Sequence, residues 1–197
     1  MKKNYLAILL IAMILLVTGM KADAAEQKTI TLTAGQKKEI TTNELSGKVQ
    51  WKLKDQSSVS IKTAGKNKVT VYARKSGRTV LEGKTAQQTV TYNIVVKPAK
   101  IQQQRTKVYG DWNSEKSVKL RWSKIKGADG YLVYRGLIGG KKQLIKKVKG
   151  AKHCSFKDTL KNSEKKYSGS YYVRAYKKTK AGITLYSKYN TECFIKE

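Results

Sequence analysis

One histidine, two cysteines and a single proline are all that this chain of 197 residues has of three residue types on which much protein chemistry depends. Two cysteines cannot build a zinc ribbon or staple a small fold in the manner of disulfide-rich secreted domains. One proline excludes collagen-like and proline-rich chains. Acid is scarce too, with 13 Asp and Glu against 42 Lys and Arg and a formal charge of +29. So few carboxylates and one imidazole leave little from which to assemble the acid, base and nucleophile sets of hydrolases. The composition weighs against an enzyme, and no catalytic residue, metal ligand or cofactor is implied. What is present is a core: 40% of residues are apolar and 12 are Tyr, well away from the composition of a disordered polymer.

Lys2 and Lys3 precede an apolar run from Leu6 to Val17, which leads through Thr18-Gly19 to Ala22-Asp23-Ala24-Ala25. A charged start, a short apolar middle and an A-x-A end describe a secretory signal peptide over 1–24, with cleavage expected after Ala24. The run is shorter than the roughly 20 residues of a spanning helix, so no membrane span is expected after removal, an uncleaved anchor being the alternative. The expected location is secreted, extracellular or cell-wall associated. The basicity survives cleavage, because the segment removes only Lys2, Lys3, Lys21 and Asp23 and leaves +27.

Beyond Thr29 apolar residues alternate in short runs, among them Ile30-Thr31-Leu32, Val59-Ser60-Ile61, Val69-Thr70-Val71 and Val90-Thr91-Tyr92-Asn93-Ile94. Alternation of period two, broken by Gly, Asn and Ser, predicts half-buried strands and an all-β fold. Pro98 cannot donate to a ladder and restricts its neighbour, so it marks the expected joint between a domain over 25–97 and a second over 98–197. The second holds +18 of the +27.

The first domain resembles bacterial immunoglobulin-like domains of group 2, the intimin/invasin kind. The matching pieces are Leu32-Thr33-Ala34-Gly35, Val49-Gln50-Trp51, Val59-Ser60-Ile61, Lys75-Ser76-Gly77-Arg78-Thr79-Val80 and Tyr92-Asn93-Ile94-Val95-Val96. In this reading Trp51 is a large central plug, while Gly35 and Gly77 supply turns. A Ser-Ser pair usual after the Trp is Lys52-Leu53 here. The second domain resembles bacterial fibronectin type III domains through Val118-Lys119-Leu120-Arg121-Trp122, Gly127-Ala128-Asp129-Gly130-Tyr131-Leu132-Val133-Tyr134-Arg135, Phe156-Lys157-Asp158 and Tyr171-Tyr172-Val173-Arg174-Ala175-Tyr176. Alternation turns Leu120, Trp122, Tyr131, Val133, Tyr171, Val173 and Ala175 inward. The family's corner tyrosine would fall on Gly169, with Tyr167 the nearest substitute. The resemblances together imply two tandem β-sandwiches, immunoglobulin-like then fibronectin type III-like.

His153-Cys154 invites a nucleophile or metal reading, but no second His or clustered acid completes a site, and a structural His beside a small buried Cys is expected. Cys154 and Cys193 meet oxidising conditions after export, yet the implied topology sets them at opposite ends, beyond the roughly 7 Å reach of bridged Cα atoms, and disfavours a disulfide.

The lysines carry the functional signal. Ile145-Lys146-Lys147-Val148-Lys149-Gly150 and Tyr176-Lys177-Lys178-Thr179-Lys180-Ala181 share one pattern of basic and neutral positions, similar to short segments that bind sulfated polysaccharides. In the fibronectin topology Lys124 and Lys126, then Lys147, Lys149 and Lys152, then Lys177, Lys178 and Lys180 converge on one pole. Only Arg74, Arg78, Arg105, Arg121, Arg135 and Arg174 are arginines, so the basic surface consists mostly of hydrated point charges without a planar fork. That suits loose attachment to an anionic cell-wall polymer or an acidic or sulfated polysaccharide. A solvating coat is the rival account of the same lysines. A second candidate face carries Leu132, Tyr134, Tyr172, Arg174 and Tyr176, outward on neighbouring strands, where an extracellular protein or a sugar ring could stack. Sheet stabilisation is the favoured account of these residues. Specific nucleic-acid binding is not expected, since no helix-turn-helix, zinc or ribonucleoprotein signature accompanies the charge. The overall expectation is a non-catalytic adhesion or binding module.

Overall fold

The computed structural model describes residues 28–114, 116–136, 140–160 and 169–195; the expected signal segment lies outside them, as does Tyr167. Among the described residues no helix is long and apolar enough to cross a membrane, and no three His, Cys, Asp or Glu cluster as metal ligands.

The alternating segments form strands, and the strands form two sandwiches in tandem. The first contains β1 (Lys28–Thr33), β2 (Lys37–Thr41), β3 (Gln50–Leu53), β4 (Val59–Thr63), β5 (Lys68–Ala73), β6 (Gly77–Lys84) and β7 (Thr89–Lys97). One sheet runs β1-β7-β6-β3, with β1 parallel to β7, and the other runs β2-β5-β4. This is an immunoglobulin-like arrangement. Inward positions at every second residue bury Val59, Val69, Val71, Leu81 and Ile94 completely between the sheets, each contributing roughly 1.5–3 kcal/mol by removal from water. Trp51 is not the central plug. Its strand β3 is the outer strand of its sheet, so the indole is only half-buried and lies flat over Gly83, 6.1 Å from the Tyr92 ring. Gly77 permits close approach, because a Cβ there would run into the Ser58 side chain.

After Pro98 a single helical turn, α1 (Lys100–Gln103), leads into the second sandwich. Its strands are β8 (Val108–Ser114), β9 (Ser117–Trp122), β10 (Gly130–Gly136), β11 (Lys142–Lys149), β12 (Ser155–Thr159), β13 (Gly169–Lys178), β14 (Thr184–Tyr186) and β15 (Cys193–Ile195). The order β12-β9-β8 faces β11-β10-β13, and β13 also pairs with β14 and β15 in turn. Three strands against four, the last in two pieces, make a fibronectin type III-like sandwich. Leu120, Trp122, Tyr131, Val133, Tyr171, Val173 and Ala175 all face its core, as alternation requires.

Gly169 opens β13, and the inter-sheet tyrosine bond is made two residues later. The buried Tyr171 hydroxyl donates to Asp158 Oδ2 at 2.7 Å. Between β14 and β15 the regular ladder is interrupted: the N–H groups of Ser187 and Asn190 donate to the Ala175 (2.9 Å) and Val173 (3.2 Å) carbonyls, while the return bonds go to side chains, Ser187 Oγ accepting from the Ala175 N–H (2.9 Å) and Asn190 Oδ1 from the Val173 N–H (2.6 Å).

Candidate functional site

Gly130, the first residue of β10, pairs with Lys149 at the end of β11 and with Tyr176 near the end of β13. Segments far apart in sequence therefore finish at one end of the second sandwich. Asp129 ties them together. Its N–H donates to the Tyr176 carbonyl (2.8 Å), its carbonyl accepts from the Gly150 N–H (2.9 Å), and its Oδ2 accepts from the Lys178 N–H (2.7 Å). The loop before it is held from beneath by the buried Tyr131, whose hydroxyl accepts from the Ile125 N–H at 3.0 Å. Burial pushes that phenol up to about 12. Sequence reasoning assigned Asp129 no role; an acid in the short Gly127-Ala128-Asp129-Gly130 segment of so basic a chain was the available signal.

Lys124, Lys126, Lys149, Lys152, Lys177, Lys178 and Lys180 lie on these converging segments, and all are exposed. Lys147 joins them, its Nζ 5.0 Å above the Tyr176 ring. Lys146 does not: it leans the other way, 5.9 Å from the ring of Phe156 on the opposite sheet. Among the described residues none of the nine makes an ion pair with a carboxylate, while Lys28–Glu44, Lys54–Glu82, Lys68–Glu39, Arg121–Asp111 and Arg135–Asp158 do pair. The charge of the eight that converge therefore sums into one field.

His153 braces the adjoining turn, with Nδ1 2.8 Å from the Lys149 carbonyl oxygen, and it is exposed. Cys154 is half-buried beside Tyr131, Cys193 is buried near Gly110, and both thiols are free.

The pole is not a free tip. The chain enters the second sandwich at this same end, since Val108 at the start of β8 pairs with Trp122 at the end of β9. Gln104 then stitches the joint: its Nε2 reaches the Lys126 carbonyl (3.3 Å) and its own carbonyl accepts from the Lys188 N–H (3.0 Å). The hairpin 179–185 leans on the first sandwich at Gly35, which has φ +94° and where a Cβ would lie 2.8 Å from Thr179 Cγ2 and 3.0 Å from Leu185 Cδ1. The lysines thus ring a waist between two sandwiches. Sequence reasoning missed this because the relative placement of the sandwiches rests on contacts between distant turns.

An open groove of about 930 Å³ runs along that waist, between β4–β5 and the hairpin leading into β14. Its charged side chains are Lys62, Arg74 and Lys75; its rings are Tyr72 and Tyr186; Ser60 and Gln102 add neutral polar atoms. Arg74 is oriented by a bond from its Nε to Ser60 Oγ (2.8 Å).

The tyrosine face is closed rather than exposed. Tyr134 and Tyr176 are 8% and 5% accessible and pack with Leu132, and Tyr172 and Tyr189 complete the cluster. Tyr189 arrives on the interrupted stretch between β14 and β15, its ring 5.4 Å from that of Tyr134 and 6.2 Å from that of Tyr172. Arg174 is sandwiched within it, 4.3 Å from the Tyr186 ring and 4.8 Å from the Tyr189 ring, while its Nη2 donates to the Tyr134 hydroxyl at 2.8 Å. Lys142 Nζ lies 4.3 Å over Tyr172. Glu192 accepts from the hydroxyls of Ser170 and Tyr172, which hold its carboxyl below the ordinary range, and the bond to Glu192 in turn raises the Tyr172 phenol.

No protein-family model and no curated protein matches the chain. Among solved structures it is similar to the FN1–FN3 domains of chicken CNTN1, at 14% identity over 88% of this chain and 64% of that one, with a TM-score of 0.41. It is similar to domains 5–6 of the S-layer protein SbsC, at 11% identity over 87% and 95% of the two chains, with a TM-score of 0.32. It is similar also to the structure of FN3tt mut, at 14% identity over 47% of this chain and 92% of that one, with a TM-score of 0.37. Likeness this distant lends the chain no ligand.

Proposed function

We propose that this protein is a secreted or cell-surface, non-catalytic attachment module that holds an anionic polymer through the lysines of its waist. The polymer class is a wall polymer of teichoic type or an acidic or sulfated polysaccharide. The first sandwich, taken as a bacterial group 2 immunoglobulin-like domain, is the spacer that presents the waist. The observation that supports this reading is the convergence of Lys124, Lys126, Lys147, Lys149, Lys152, Lys177, Lys178 and Lys180 on one end of one sandwich, exposed and without a described carboxylate partner. Such a field concentrates polyanions and speeds their capture, and salt weakens it over a Debye length of roughly 8 Å at physiological strength. Docking of a protein on the tyrosine face is the weaker reading, because Tyr134 and Tyr176 are buried and Arg174 is engaged.

The test is retention of the purified protein on heparin and on anionic wall material while salt is raised. Steep loss of retention with salt, and marked weakening of retention when Lys147, Lys149, Lys177, Lys178 and Lys180 become Gln, is the expected result. Retention indifferent to both would refute polymer attachment.

A further inference from the structure

We infer that the groove between the sandwiches seats a short stretch of acidic glycan, its sugar rings against Tyr72 and Tyr186 and its carboxylate or sulfate groups on Lys62, Arg74 and Lys75. The inference rests on the polymer-attachment reading and gives it a site.

Three features carry it. Among the described residues the groove is lined by three cations and no carboxylate, so these side chains set a field of one sign at close range. One of the three is an arginine, in a chain with only six, and its Nε bond to Ser60 fixes the plane of the guanidinium. A fixed planar fork recognises a carboxylate or sulfate through paired bonds, where the pole's lysines act as point charges.

The rings come from opposite walls, Tyr72 on β5 of the first sandwich and Tyr186 on β14 of the second. Tyr186 is 39% accessible, and Arg174 stacks on it at 4.3 Å, so the side chain is ordered before any ligand arrives. The exposed ring of Tyr186 and the half-buried ring of Tyr72, which packs against the core, lie beside the hydroxyl of Ser60 and the amide of Gln102, a lining that suits a hydroxyl-rich ring better than a bare phosphate chain. A volume of about 930 Å³ accommodates several sugar units. Lys180 directly precedes Ala181 in the groove wall, so a polymer leaving the groove passes onto the lysines of the waist.

The experiment titrates the isotopically labelled protein with a heparin tetrasaccharide, with tetragalacturonate and with ring-free tripolyphosphate, following backbone amide shifts. Both oligosaccharides are expected to move the amides of Lys75, Gln102 and Gly182, and tripolyphosphate to leave them largely in place. The variant carrying Lys62→Gln, Arg74→Gln and Lys75→Gln should bind the tetrasaccharides about tenfold more weakly, yet remain on a long-chain heparin column through the waist lysines. Shifts confined to Lys147, Lys149 and Lys178, or full affinity in the groove variant, would overturn the groove while leaving polymer attachment standing. Equal groove shifts with tripolyphosphate would overturn the glycan assignment. Failure of the unmodified protein to bind any of the polymers would overturn the attachment reading itself, and the groove with it.

Discussion

The guanidinium of Arg135 and the carboxylate of Asp158 meet between the two sheets of the second sandwich, joined by Nε–Oδ2 (3.0 Å), Nη2–Oδ1 (3.0 Å) and Nη2–Oδ2 (2.8 Å) bonds, with both residues buried. Tyr171 donates to the same Oδ2, so one carboxylate links strands β10, β12 and β13. Removing one partner strands the other charge in a poor solvent. Asp158→Ala is expected to cost about 3–5 kcal/mol, read as a lower urea midpoint at unchanged slope. Replacing the pair by Arg135→Met and Asp158→Leu should restore much of that loss. Equal instability of the single and double variants would contradict the assignment.

Alkaline titration reports on the buried phenol of Tyr131. Its phenol lies at about 12 in the folded protein because burial disfavours the phenolate, against roughly 10 in an unfolded chain. The folded state keeps the proton longer, so this contribution is complete below pH ~10 and fades as pH rises from there through about 12. Phenolate absorbance should show a late-ionising tyrosine that disappears in Tyr131→Phe. Ionisation of every tyrosine near 10 in the folded protein would count against the buried hydroxyl.

Gly35 is both conformationally demanding and pressed against the second sandwich, with φ +94° and Thr179 close by. Gly35→Ala is expected to lower stability by about 1–3 kcal/mol through strain and to loosen the joint. Faster amide exchange at Leu185 and a broader distance distribution in small-angle scattering would report the loosening. Unchanged exchange at Leu185 would show that the contact does not hold the waist.

Tyr189→Ala opens the tyrosine cluster and removes one ring from Arg174. A loss of about 1–2 kcal/mol is expected from packing and cation–π contact, with heparin retention unaltered. A drop in retention at unchanged stability would move the binding surface to this face.

The residues most legible in sequence were those whose environment depends on their own strand. Period-two alternation correctly turned Leu120, Tyr131 and Val173 into the core. Trp51 was misjudged because its burial depends on which strand lies at the sheet edge, a property of pairing rather than of local pattern. Tyr134 and Tyr176 do turn away from the main core, as alternation says. Their cover comes from Tyr189, on a segment that interrupts the regular ladder and so carries no periodic signal. The lysines were placeable from topology, but their position at a waist depends on Gly35 and Thr179 meeting across the two sandwiches.

The parallel pairing of β1 with β7, from Lys28 beside Tyr92 to Thr33 beside Lys97, bears on how a polymer-tethered protein would carry mechanical load. Tension entering before Lys28 and leaving after Lys97 would slide these strands past each other instead of peeling them apart. Every rung would then resist at once, so rupture would need far more force than unzipping the same bonds singly. Ile30→Pro, which deletes an N–H on the side of β1 that faces β7, the side from which Ala34 donates to the Lys97 carbonyl, should lower the rupture force in single-molecule pulling; an unchanged force would show that the load is borne elsewhere.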